Sequence, residues 1–302
     1  MCKIAYRSTT KEYTLLFLLA LLWGGSYSLI KIALGSFPPM TLMALRVTIA
    51  ALILSAIALQ QGHSFPTDQK TWAALLVQAF FNSIGAWTVL AWGQQFVDSG
   101  LAGVLNSTSP VFVFFMTLLW ARHESVDIAK FFGAMLGLVG VILLMGVDVL
   151  AGLGQEVLAQ LAILLGALLY ACAAIYGRRF ATLPPAISAA STMIWASIWL
   201  IPIACFLDQP WLFHIEQPAL LAALALSVFS TAGALLIYFR LVKTIGSIGV
   251  ASQSYLRSAI AVLVGIAVLG EPVSWSLASG VIAVLTGMYF LNGGLMAFRK
   301  RV

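Results

Sequence analysis

Charge is scarce in this chain: 9% of its 302 residues are Asp, Glu, Lys or Arg, where a soluble domain carries ~25%. No long stretch departs from that poverty, which excludes a soluble enzyme tethered by one anchor. Cysteine is also sparse. The three present, Cys2, Cys172 and Cys205, cannot build the dense framework of a small secreted domain, and they suggest no redox chemistry. Carboxylates and histidines are missing from the interiors of the apolar runs: His63, His123 and His214 fall in connections, Glu124 and Glu271 at run ends. Intramembrane hydrolysis needs a base, a nucleophile and an orienting group within reach, and a metal needs clustered His, Cys or carboxylates. The pattern argues against an enzyme, a metal centre and any cofactor. A net charge of +6 would suggest nucleic acid in a soluble protein. Here the cations form short clusters flanking apolar runs, as orientation signals do, so no nucleic-acid partner is expected.

What the chain has in abundance is apolar length, with 62% hydrophobic residues and a mean hydropathy of +1.02. A spanning helix needs ~20 mostly apolar residues. Ten runs meet that need: 13–35, 39–60, 72–92, 99–121, 128–146, 157–178, 186–206, 218–240, 248–269 and 275–297. The breaks hold Pro38-Pro39, Gln61-Gly62, Asp98, Asp148, Pro184-Pro185, Asp208 with Pro210, and Gly270-Glu271-Pro272, which are turn and helix-stop signals. The first run follows Lys3, Arg7 and Lys11 as a signal peptide would, but it continues past Lys31 without a cleavage motif and is expected to be retained. With the N-terminus in the cytoplasm, the inside segments collect Lys3, Arg7, Lys11, Lys70, Arg122, Lys130, Arg178, Arg179, Arg240, Lys243, Arg299, Lys300 and Arg301. The outside connections hold Asp98, Asp148, Glu156, Asp208, Glu216 and Glu271 and no Lys or Arg. This positive-inside bias puts both termini in the cytoplasm. The expected fold is an all-α polytopic membrane protein of a bacterial inner membrane, surrounded by lipid, with a monomer admitted.

A shift of 147 residues superposes 100–146 on 247–293 without a gap: Ser107 meets Ser254, Asn106 meets Gln253, Glu124 meets Glu271, Gly133 meets Gly280 and Gly140 meets Gly287, and the same shift sets Trp23 on Tyr170 and Lys31 on Arg178. Residues 1–146 and 147–302 are therefore expected to be two five-helix repeats. Five is odd, so the second repeat enters the membrane inverted. Inverted repeats are the architectural signature of secondary transporters, with a substrate site near the midplane.

The stretch Leu22-Trp23-Gly24-Gly25-Ser26 with Lys31, then Arg46, then Pro110 with Glu124, and finally Gly270-Glu271-Pro272 resembles the EamA-type members of the drug/metabolite transporter superfamily. The resemblance covers essentially the whole chain. It implies ten helices in a 5+5 inverted repeat, around a central cavity lined mainly by helices 1, 3, 4, 6, 8 and 9. The aromatic character of those helices is most similar to the YddG-type aromatic amino-acid exporters. The second half departs from the first where Tyr170-Ala171-Cys172-Ala173 replaces Trp23-Gly24-Gly25-Ser26 and Arg257 replaces Pro110.

Three cations lie within the runs. Arg257, ~14 Å along its helix from the cytoplasmic end, stands near the middle of a ~30 Å core. It reads either as a clamp for a substrate carboxylate, through two parallel hydrogen bonds, or as a structural arginine bonded to helix-end carbonyls. Arg46, ~10 Å below the outer end of helix 2, is expected to be structural. So is Lys31, whose long side chain can reach the interface. Polar groups gather at Gln78 and Asn82, four apart on one helical face, at Asn106, and at Gln253 with Tyr255. Facing a cavity, the amides would bond an amino or carboxylate group; facing a helix, they would join the bundle. Trp23, Tyr27, Trp87, Tyr170 and Tyr255 supply aromatic faces for a side chain or an ammonium. Pro110 is the expected hinge of helix 4. A lipophilic-cation exporter would carry a membrane carboxylate, which is absent, so the expected substrate has an anionic group. The leading expectation is an exporter of amino acids, aromatic and other large neutral ones, or of related amphipathic metabolites, working by alternating access without strict proton coupling. A multidrug or organic-anion exporter is the alternative, and a non-transporting scaffold or receptor the alternative of another class.

Overall fold

A computed structural model describes residues 10–93, 96–97, 99–119, 127–212, 215–260 and 275–292. These form fifteen α-helices: α1 Thr10–Gly24, α2 Ser26–Ala33, α3 Pro39–Gln60, α4 Gln69–Ala79, α5 Gly85–Gly93, α6 Ser99–Asn106, α7 Ser109–Leu119, α8 Ile128–Met145, α9 Val157–Gly177, α10 Pro185–Leu207, α11 Gln217–Ala225, α12 Ala234–Thr244, α13 Gly246–Ala251, α14 over residues 253–260, and α15 Trp275–Leu291. A π-helical segment, Phe80–Ile84, joins α4 to α5, and a second, Leu226–Gly233, joins α11 to α12. Among the described residues there is no strand. Among the described residues, six helical segments are long and apolar enough to cross a membrane, and shorter apolar helices accompany them. The chain is an all-helical, multi-pass membrane protein. Lys3, Arg7, Asp98, Arg122, His123, Glu124, His214, Gly270, Glu271, Pro272, Arg299, Lys300 and Arg301 lie outside the described residues, as do the side chains of Tyr27 and Lys31.

Several expected spans are interrupted. The first run is two helices meeting at Gly25, and the fourth is α6 and α7 meeting at Ser107–Thr108. The ninth breaks at Ser252, between α13 and α14. Pro110 stands in the first turn of α7, where a missing N–H costs little. Helix starts follow capping chemistry. Asp68 accepts from the Thr71 amide at 2.7 Å and Asp127 from the Lys130 amide at 2.9 Å. Hydrogen bonds from Thr71 hold the Asp68 carboxyl below the ordinary carboxylate value.

Contacts divide the chain into two compact units, and neither is a sequence half. The first draws on Met1–Gly24, Val89–Arg178 and Leu241–Val302, the second on Gly25–Thr88 and Arg179–Arg240. Sequence equivalence says which helices correspond, not which ones pack together. Each unit is built about one pair of equivalent helices. In the first, α8 lies along α15; in the second, α3 lies along α10. A shift of 147 carries 128–145 to 275–292 and 39–60 to 186–207, within a residue of the observed bounds.

Both pairs run antiparallel, as an inverted repeat requires. The Gly133 backbone adjoins Gly287, Gly140 adjoins Val284, and Gly280 adjoins Leu144, so one helix rises in number as the other falls. Lipid is as apolar as leucine, so helices associate through close backbone approach rather than through hydrophobic drive. A Cβ built on Gly133 would stand 2.8 Å from the Gly287 carbonyl, and one on Gly140 2.7 Å from the Val284 amide. In the second unit, the Thr41 amide and hydroxyl near the start of α3 both donate to Asp208 at the end of α10, at 2.6 and 3.0 Å. Because α3 begins Pro38-Pro39 with no side-chain cap of its own, Asp208 caps it from across the pair. Asp208→Ala is expected to destabilise the protein by about 0.5–2 kcal/mol, read as a lower melting temperature in detergent; an unchanged melt would deny the cap its energetic role.

Candidate functional site

In the second unit the polar groups surround a buried cation. Arg46 points from α3 with 6% of its surface exposed. Its Nε donates to the Thr231 hydroxyl at 2.5 Å, its Nη2 donates to the Ser230 carbonyl at 3.3 Å, and its guanidinium lies 4.3 Å from the Trp87 ring centre. Ser230 and Thr231 belong to the second π-segment, whose widened turn redirects carbonyls that an α-helix would consume. A guanidinium away from water needs hydrogen bonds and a polarisable face, and this setting supplies both. Trp87, expected at the substrate, here gives a face to Arg46, and Arg46 ties α3 to the π-segment. Gln78 is fully buried, and the Asn82 amide donates to the Ser83 hydroxyl at 3.0 Å. Sequence reading missed Ser230 and Thr231 as partners of Arg46. The repeat offered the signal, since the 147-residue shift sets Ser230 on Ser83.

In the first unit the polar residues collect where two helices break. The α6–α7 break carries Asn106 and Ser107, and the α13–α14 break carries Ser252, Gln253 and Ser254. Ser107 and Ser258 share a hydrogen bond at 3.2 Å across these segments. Ser258, four residues after Ser254 and so on the same helical face, was not singled out by sequence. The Gln253 amide donates to the Ser254 hydroxyl at 3.2 Å. Asn106 and Gln253 are 4% and 8% exposed, and the amide oxygens Asn106 Oδ1 and Gln253 Oε1 are buried without a hydrogen-bond partner.

Arg257 is one turn beyond Gln253 and half-buried. It packs at the end of α1: a Cβ on Gly24 would lie 3.3 Å from its carbonyl and 3.7 Å from its Cγ. Trp23 beside it is half-buried, and Tyr170 packs onto the cluster of Leu90, Leu101, Leu105 and Ile163. Tyr255 corrects the sequence reading. It is fully buried, its hydroxyl donates to the Ala134 carbonyl at 2.7 Å, and its ring fills the space a Cβ on Gly137 would need. It locks α14 to α8 and offers a substrate no surface here. Among the described residues every carboxylate lies at a helix cap, in a first turn or in a connection, and no group of His, Cys, Asp or Glu is arranged to hold a metal.

The model of the EamA-like transporter family matches residues 10–146 and again 157–293. An uncharacterized inner membrane transporter of Escherichia coli K12, YedA, is 30% identical over 283 residues, covering 92% of this chain and 90% of its own. YvbV, an uncharacterized transporter of Bacillus subtilis 168, is 27% identical over 286 residues, covering 94% and 92%. A solved crystal structure superposes with a TM-score of 0.78 at 20% identity, over 95% of this chain and 99% of its own, which is a likeness of fold.

Proposed function

Because this chain belongs to the EamA-like transporter family, we propose that it exports amino acids, aromatic and other large neutral ones, or related amphipathic metabolites, by alternating access. The inner membrane of a bacterium is the proposed site, as in the name of the Escherichia coli relative. The observation that carries the substrate class is the distribution of charge. Arg257 stands half-buried inside a helical segment while the described carboxylates stay at helix ends and in connections. A half-buried cation inside a helical segment suits a substrate that carries a carboxylate. In this reading Arg257 takes the carboxylate, Asn106 and Gln253 bond polar groups, Trp23 and Tyr170 lend aromatic faces, and the breaks of α6–α7 and α13–α14 let the backbone bend.

A carboxylate that exchanges protons with the substrate is the usual coupling device in a membrane. Among the described residues no carboxylate stands in a helix interior beyond its first turn, and in this reading the transporter works by exchange or facilitated diffusion. The test is counterflow of labelled phenylalanine into proteoliposomes preloaded with single unlabelled amino acids, at equal pH and then across a pH gradient. Exchange with several large neutral amino acids, at a rate indifferent to the gradient, is expected. Strong acceleration by the gradient would overturn the uncoupled mechanism. Silence from every amino acid, with folded protein, would favour organic anions, for which Arg257 is an equally good partner.

A further inference from the structure

Three buried amide oxygens in the first unit lack a hydrogen-bond partner, Asn106 Oδ1, Gln253 Oε1 and Asn292 Oδ1, and two of them stand at equivalent positions. Asn106 Oδ1 and Gln253 Oε1 stand on residues that the 147-residue shift superposes, each beside a helix break, and both are closed to solvent. A buried acceptor left unpaired keeps the full cost of its lost hydration, and here that cost falls twice at equivalent positions, where a ligand that donates would relieve it. What is missing is a donor. Neighbouring hydroxyls are turned elsewhere: Ser107 is bonded to Ser258, Ser258 donates to the Ser254 carbonyl at 3.2 Å, and Ser252 donates to the Gly249 carbonyl at 2.7 Å.

We propose that Asn106 and Gln253 form an ammonium subsite, in which the two amide oxygens accept from the –NH₃⁺ of the substrate. An ammonium carries three donors and no acceptor, which complements two bare oxygens. No carboxylate stands among the described residues of α6, α7, α13 or α14, so the pair binds the ion through dipoles and gives it no net neutralisation. Neutralisation comes from the substrate itself. Gln253 and Arg257 are one helical turn apart, ~5–6 Å between Cβ atoms, so one zwitterionic head spans both, its carboxylate on Arg257 and its ammonium on Gln253 and Asn106. The proposal rests on the amino-acid reading above and narrows it to substrates that keep a free amine.

The experiment uses the full-length protein in proteoliposomes, with labelled phenylalanine counterflow competed by 2-phenylethylamine, which lacks the carboxylate, and by 3-phenylpropionate, which lacks the ammonium. The wild-type protein is expected to be inhibited by the amine, and to bind 3-phenylpropionate at least about ten-fold more weakly than phenylalanine. Asn106→Leu and Gln253→Leu are each expected to lower the selectivity for amine over acid about ten-fold or more. Asn106→Asp keeps the oxygen in place and adds charge, so it is expected to raise that selectivity, and a variant that gains selectivity has folded. Equal inhibition by 3-phenylpropionate and phenylalanine, or a selectivity ratio unmoved in all three variants, would overturn the subsite while leaving carboxylate transport standing. Amine binding that depends on Asn106 and Gln253, in a protein that exchanges no amino acid, would keep the subsite and sink the amino-acid reading. A strict need for sodium, lost on replacement by choline, would assign the oxygens to a metal ion instead and overturn the proposal. So would the failure of both probes to bind folded protein.

Discussion

Arg257→Ala is expected to abolish exchange of carboxylate-bearing substrates, with affinity falling about 10- to 100-fold, the worth of a charge-assisted bidentate contact. The alanine also removes a stem that packs against the Gly24 end of α1, so it tests packing and charge together. Arg257→Met separates them, because it keeps most of the stem and loses the guanidinium. Arg257→Lys keeps the charge without the planar fork and is expected to retain part of the activity. Counterflow measured beside the melting temperature reads each variant. Exchange at the wild-type rate by a folded Arg257→Met protein would make this arginine structural, the other role open to it.

The second large effect is mechanical. Gly137→Val is expected to unfold the first unit or force it to repack, because a Cβ at that position falls within the Tyr255 ring. Gly133→Leu acts along the same helix pair, where the opposing atoms are the Gly287 carbonyl and the Leu291 amide at 2.8 and 3.0 Å. Backbone cannot step aside as a flexible side chain can, so the overpacking cost of about 1–3 kcal/mol is a lower limit. Loss of monodisperse protein, or a melting temperature lowered by several degrees, is the expected reading. Tyr255→Leu, combined with Gly137→Ala, is expected to recover part of the loss by vacating the ring's volume. A Gly137→Val protein that melts with the wild type would mean that the Tyr255 ring does not pack against Gly137, and an unchanged melt of Gly133→Leu would mean that α8 and α15 do not approach through glycine.

Much of the helix pattern was legible because its punctuation is chemical. Pro38-Pro39 opens α3 at the expected residue and Pro184-Pro185 opens α10 one residue before it, since proline suits a first turn and ends whatever precedes it. Of the interruptions, that of helix 4 was signalled by Pro110, which stands just past the Ser107–Thr108 break. Those at Gly25 and Ser252 were not legible, because a hydropathy run averages over ~20 residues and they are too brief and too small to disturb it. Arg46 and Trp87 were both picked out, but on separate spans, and nothing in a sequence sets a guanidinium over a particular ring. Tyr255 failed for a related reason: polar neighbours made it look like part of a site, while its partner, the bare backbone at Ala134 and Gly137, leaves no mark except a glycine. The grouping of helices into two units was hidden because repeat symmetry names equivalents and is silent about neighbours.

The π-segments have one further geometric consequence. Along α11, the second π-segment and α12, buried residues recur as pairs four apart: Ala222 and Ala223, Leu226 and Ser227, Ser230 and Thr231, Ala234 and Leu235, Tyr238 and Phe239. The same beat runs from Ala74 and Leu75 through Gln78 and Ala79 to Asn82 and Ser83. At 3.6 residues per turn a stripe with that spacing creeps ~40° sideways each turn, and over four turns it would wander nearly to the back of the rod. The wide turn absorbs the creep, so the seam stays straight and neither rod has to coil about its neighbour to keep it covered. Deleting one residue from Leu226–Gly233 would turn α12 by ~100° and swing Tyr238 and Phe239 off the seam, so the length of that loose turn sets the azimuth of all that follows it.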